Sequence, residues 1–139
     1  MAVQRAGVGE CTPAVSDLLA RWRDLFRSAD YRALSELYHP EAFLSGSAIA
    51  AYVGREQIRG YFESLPPSED ADVAFSDVTS RMVRSDVLVL LALATFVSRD
   101  LRLPMRLTQV WVDAWEGWVI ASHHASPLAD LRSSLEVNG

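Results

Sequence analysis

A chain of 139 residues, half of them hydrophobic and 22% charged, has room for one domain with a buried core and is too apolar to be disordered. Its net charge of −5 opposes nucleic acid and anionic membrane as partners. All 13 basic residues are Arg, which excludes chemistry that needs a lysine amine, because Arg does not give up its proton.

The single Cys11 cannot form an intrachain disulfide, which fits a reducing cytoplasm. It sits in a stretch with no anchoring apolar residues, a poor setting for a reactive thiol. Met1 to Glu10 lacks the basic start and apolar core of a signal peptide. The longest apolar run, Val87 to Val97, is too short to cross a bilayer. The expected location is cytoplasmic. Residues 1–11 read as a disordered leader, 12–130 as one α+β domain and 131–139 as a tail.

Thr12-Pro13 is a helix start, a capping hydroxyl followed by proline in the first turn. Val15, Leu18, Leu19, Trp22, Leu25 and Phe26 then recur at helical spacing. Asp30 caps a short second helix bearing Leu34, Leu37 and Tyr38, which His39-Pro40 ends. Phe43 to Val53 reads as one or two short strands. Gly54 precedes a third helix with Ile58, Tyr61, Phe62 and Leu65 on one face, and Pro66 to Asp70 is a surface loop.

The rest of the chain is strands. Val73 to Val83 turns at Arg84-Ser85-Asp86 into Val87 to Val97, a strand apolar on both sides and therefore covered on both. Arg99 to Leu103 turns it into a hairpin that runs from Met105 to Pro127 and holds three of the four tryptophans and two of the three histidines. A three-residue loop at Trp115-Glu116-Gly117, with Gly117 left-handed, pairs Ala114 with Trp118 and Gln109 with His123. Leu107, Gln109, Trp111, Ala121, His123 and Ala125 then share one face, and Val110, Val112, Trp118, Ile120 and His124 share the other. A slip of one residue would exchange His123 for His124 beside Gln109. Three helices cannot cover both faces of such a sheet, so a second copy of the chain is expected on the outer one.

The order and spacing of several short stretches resemble the nuclear transport factor 2-like superfamily, in its SnoaL-like branch, and the association (hub) domain of calcium/calmodulin-dependent protein kinase II. They are Trp22; Ala29-Asp30-Tyr31; Leu37-Tyr38-His39-Pro40-Glu41-Ala42; Gly54-Arg55-Glu56-Gln57-Ile58-Arg59; Thr108-Gln109-Val110-Trp111; Gly117-Trp118; and His124-Ala125-Ser126. The resemblance implies an α+β fold in which a cone-shaped, curved antiparallel sheet wraps around three N-terminal helices. It also implies a pocket between the sheet and the first helix, and dimers formed through the sheets. Function is less constrained, since this fold carries cyclases, isomerases, dehydratases, epoxide hydrolases and non-enzymatic hubs. The hub's pocket arginines align with Ala94, Gln109 and Ala125, which argues against a carboxylate-binding pocket. The isomerase base would fall near Ser45-Gly46, where there is no Asp.

His123 is the candidate general acid or base, Gln109 the group that orients it or holds a substrate oxygen, and Tyr38 a donor to developing negative charge. The competing reading of each is a hydrogen-bonded core side chain. His124, pointing the other way, reads as structural or as part of the dimer contact. Trp22, Trp111, Leu107, Ala94, Phe96 and Ala125 are the expected pocket lining. Two histidines on opposite faces make too few ligands for a metal, and no cofactor motif is present. Two functions follow. One is a cofactor-independent cyclase, isomerase or dehydratase acting on a largely apolar, polyketide-like substrate. The other is a non-catalytic ligand-binding or hub-like assembly module. Both expect a small apolar or aromatic ligand and a homodimer, with neither nucleic acid nor membrane.

Overall fold

The computed structural model describes residues 13–46, 50–66 and 68–128, so the leader and the tail expected from the sequence lie outside them. Helix α1 (Val15–Arg27) buries Leu19, Trp22 and Phe26 along one stripe, at the three- and four-residue spacing that stacks side chains on one face. Its cap position is Ala14, which offers no side-chain bond. Helix α2 (Tyr31–Glu36) is capped as expected: the Asp30 carboxylate accepts from the Ala33 N–H at 3.2 Å.

That helix stops two residues short of the expected end. Tyr38 begins a strand, β1 (Tyr38–Ser45), instead of closing the helix. Pro40 biases His39 toward extended backbone, and the Ile120 N–H reaches the Leu37 carbonyl at 2.7 Å, so sheet pairing captures the segment. A short β2 (Ala51–Val53) pairs with β1, and helix α3 (Gly54–Glu63) turns Ile58 and Phe62 into the core.

Four long strands follow: β3 (Asp72–Arg84), β4 (Val87–Ser98), β5 (Leu101–Ala114) and β6 (Gly117–Pro127). Arg99-Asp100 alone makes the β4–β5 turn, because Leu103, Met105 and Leu107 already alternate as a strand, with Leu103 opposite Phe96. The strand order is β2-β1-β6-β5-β4-β3, antiparallel throughout except for the parallel β1–β6 pair. The curved, unclosed sheet holds the three helices against one face. Leu88, Leu90, Ala92 and Ala94 of β4 point into that core, while Leu91 on the other face is 42% exposed.

The final hairpin differs from its expected form in two compensating ways. Ala114 faces Gly117, at φ +101°, so Trp115-Glu116 alone form the tip and Trp118 faces Asp113. Continued unchanged, that register would set Gln109 against Ser122 and turn His123 outward. Ala121 prevents it. The ladder runs from Trp111 opposite Ile120 to Val110 opposite Ser122, leaving Ala121 as a bulge, and Gln109 faces His123. Ile120 is therefore fully buried in the core, not on the outer face with Val110 and Val112. Trp118 is half-buried and packs against that core as well.

Candidate functional site

A cavity of about 360 Å³ opens between α1, α3 and the inner face of the sheet. Its walls are mostly apolar, with Trp22 and Phe26 from α1, Phe62 from α3 and Phe96 and Met105 from the sheet. The Trp22 and Phe26 rings stack at 5.3 Å, and Phe62, Phe75 and Phe96 each meet Trp22 edge-on at 6.0–6.3 Å. Such an aromatic surface suits a flat apolar ligand.

The His123 imidazole forms part of the lining and lies beneath Trp22, ring centroids 6.1 Å apart. Its Nδ1 is 3.0 Å from the Tyr38 hydroxyl and 3.1 Å from Gln109 Nε2. Each of those groups is held from behind by an indole: Trp22 Nε1 donates to the Tyr38 oxygen at 3.0 Å, and Trp111 Nε1 donates to Gln109 Oε1 at 2.8 Å. The five side chains form one connected, buried run across α1, β1, β6 and β5. No described residue bonds to Nε2. The imidazole is part of the cavity lining, and both hydrogen bonds to its ring nitrogens are at Nδ1.

Burial pushes the His123 imidazole down to about 3, with a smaller contribution from neighbouring His124, so it is neutral at any ordinary pH. Burial likewise pushes the Tyr38 phenol up, well away from ionisation. At the rim, Asp72 receives Arg23 through two bonds of 2.8 Å each. These bonds, more than any other cause, hold its carboxyl down at about 2. This pair ties α1 to β3 beside the mouth.

Trp22, Phe96, Ala125 and His123 line the cavity. Leu107, Ala94, Gln109, Trp111 and Tyr38 are buried on the same inner surface but behind the lining. Tyr38 spends its hydroxyl on His123 and does not face the cavity, so the role of donor to a ligand, expected for it at the end of a helix, does not fit its position in β1. His124 points out of the sheet opposite Thr108 and is exposed. Asp72 and Tyr61 also line the cavity. Tyr61 was visible in the apolar stripe of α3. The Arg23–Asp72 pair, 49 residues apart in the chain, has no local sequence signal. Among the described residues no group of three or more His, Cys, Asp or Glu is arranged to hold a metal.

Comparison with solved structures places the fold. A candidate calcium/calmodulin-dependent protein kinase II association domain from Xanthomonas campestris is 24% identical, with a TM-score of 0.77 over 84% of this chain and 86% of that one. A candidate dehydratase of the NTF2-like family from Streptomyces avermitilis is 19% identical, with a TM-score of 0.71 over 82% and 93%. A candidate ketosteroid isomerase from Parabacteroides distasonis is 20% identical, with a TM-score of 0.68 over 84% and 87%. At these identities the likeness is one of fold. A sequence search of curated proteins finds no match. The model of the SnoaL-like domain matches residues 15–130, which spans both the cavity and the bonded run behind it, and the chain belongs to that family.

Proposed function

We propose that the protein binds a small, largely apolar molecule in the cavity beside Trp22 and acts on it by cofactor-independent chemistry of the cyclase, isomerase or dehydratase type, with His123 as the polar group that meets the reacting part of the substrate. The observation that carries this reading is the lining: an aromatic cavity whose wall includes one imidazole. A volume of about 360 Å³ lies within the range of small-molecule sites, roughly 300–1,000 Å³. The names of the dehydratase and isomerase neighbours are consistent with such chemistry. The hub-like alternative gains nothing from the pocket, where the inner surface carries Ala94, Gln109 and Ala125 and no arginine. We also propose a homodimer through the outer sheet face.

Calorimetric titration with 2-acetylnaphthalene tests the pocket. Wild type should bind it, and Ala125→Phe, whose ring would fill the cavity, should not. Equal binding by both would overturn the assignment. For any substrate turned over, His123→Ala should lose on the order of 10²–10³ in rate with the fold retained, the loss that follows removal of one donor to developing charge. A loss of stability with no loss of rate would make His123 structural only.

A further inference from the structure

We propose that His123 is held as a neutral imidazole with its proton on Nε2, and that the pocket therefore recognises a neutral ligand presenting a carbonyl oxygen to that proton. This rests on the pocket reading above and narrows it to a ligand class.

The bonded run is fixed from its two ends. An indole N–H can only donate. Trp111 therefore fixes the Gln109 amide with Oε1 toward the indole, since the flipped amide would set two donors against each other at 2.8 Å. Gln109 then presents N–H to His123 Nδ1 at 3.1 Å. At the other end, Trp22 occupies a lone pair of the Tyr38 oxygen, and the hydroxyl proton has Nδ1, at 3.0 Å, as its acceptor. Two donors converge on Nδ1, so that atom must be the bare nitrogen, and the proton of the neutral ring lies on Nε2, facing the cavity.

Two consequences follow for the ligand. With Nδ1 occupied and Nε2 protonated, the imidazole has no lone pair to offer a substrate proton, so His123 serves as a fixed donor rather than as the base. A donor aimed into an apolar cavity selects an acceptor oxygen and stabilises negative charge that develops there. An anionic ligand is disfavoured, because the lining supplies no cation, and a cationic one gains little, because the one charged lining group, Asp72, is already paired with Arg23 and the Nε2–H would face it as a donor. Tyr38, Gln109 and Trp111 act through His123 and are positioning residues, and Trp22 does so through its indole N–H while its ring lines the cavity.

The tautomer can be read directly by ¹⁵N NMR of the imidazole in the wild-type protein at neutral pH. The expected result is a protonated Nε2 and a bare Nδ1. A protonated Nδ1, in either the neutral or the charged ring, would overturn the inference. Trp111→Phe frees the Gln109 amide to flip and should raise the share of the Nδ1–H form, a shift that a merely structural role for Trp111 would not produce. The ligand class is tested with carbonyl-¹³C-labelled 2-acetylnaphthalene against 2-isopropenylnaphthalene, which replaces the oxygen with carbon, and against 2-naphthoate. Wild type should prefer the ketone to both by about ten-fold, a difference the size of one net hydrogen bond, with a downfield carbonyl shift on binding. His123→Asn keeps an acceptor for Tyr38 and Gln109 but removes the Nε2–H. It should lose the preference and the shift while binding the hydrocarbon as before. Equal wild-type affinity for ketone and hydrocarbon would overturn the ligand class alone. Failure of all three compounds to bind would overturn the pocket reading and the ligand class together, and leave the tautomer to be decided by its own measurement.

Discussion

Gln109 shows how one atom sets the character of the site. It is 1% exposed, and its amide both accepts from Trp111 and donates to His123. Gln109→Glu keeps the acceptor for Trp111 and replaces the donor with a carboxylate oxygen. Nδ1 would then be drawn to hold a proton, and the adjacent negative charge would favour the imidazolium. His123, now at about 3, should titrate near or above the ordinary histidine value of about 6.5. Following its ring protons by NMR across pH checks this, and an unmoved titration would mean that the amide points the other way. The same depressed value has a consequence for stability. Below about 6.5 the unfolded chain takes up a proton that the folded chain refuses until about 3, so the contribution is complete above pH 6.5 and is lost progressively as pH falls toward 3. Unfolding free energy should decline by up to about 1.4 kcal/mol per pH unit in that window. His123→Asn should remove that slope between pH 6 and 4, as measured by urea denaturation.

The hairpin of β5 and β6 explains both what the sequence disclosed and what it concealed. Alternation identified the strands, and the Gln109–His123 pair was legible. The pair needs one extra residue in the hairpin; a three-residue turn would supply it, whereas the structure places it at Ala121. Nothing about an alanine in a strand announces a bulge, and uninterrupted alternation puts Ile120 on the outer face instead of in the core. Likewise Leu34, Leu37 and Tyr38 fit a helical stripe that would carry Tyr38 in α2, while its parallel partner Ile120 lies 82 residues away. Local pattern could not see that competition. The division of labour also makes a prediction. Gly117 sits at φ +101° with nothing within 4 Å of where a Cβ would lie, so Gly117→Ala incurs only the conformational penalty, about 1–2 kcal/mol. Because Ala121 sets the register nearer the site, the His123 resonances and ligand binding should be unchanged. A disturbed His123 would mean that the tip, not the bulge, fixes the pairing.

At the scale of the whole molecule, the helix count and the run of four antiparallel strands that follows were legible because periodicity and turn residues are local, while the parallel β1–β6 pair that completes the sheet was not. The cavity was half legible: Trp22, Phe96 and Ala125 follow from alternation and resemblance, while the Arg23–Asp72 clasp depends on how α1 crosses β3. The remaining question is what lies against the outer sheet face. The three helices pack on the inner face, yet Val87, Val89, Leu91 and Leu93 of β4 and Val110 and Val112 of β5 line the other, with Leu91 42% and Val97 36% exposed. Full burial of a large aliphatic side chain contributes about 1.5–3 kcal/mol, whereas association costs about 4–15 kcal/mol in lost motion. One or two such residues would not hold a partner; the patch has six on each copy, with Leu91 exposed and the other five partly buried already, so the dimer depends on the whole contiguous surface being covered at once. A two-fold pairing also places the patch against itself, as a symmetric dimer requires. The protein should therefore scatter light as twice its 15.4 kDa chain. Val112→Arg, which sets a charge on that face beside Val87, should shift it to monomer or aggregate while leaving the ¹⁵N signature of His123 on the opposite face intact. A wild-type mass of one chain at micromolar concentration would sink the dimer. A variant that dimerised normally would move the interface off these two strands.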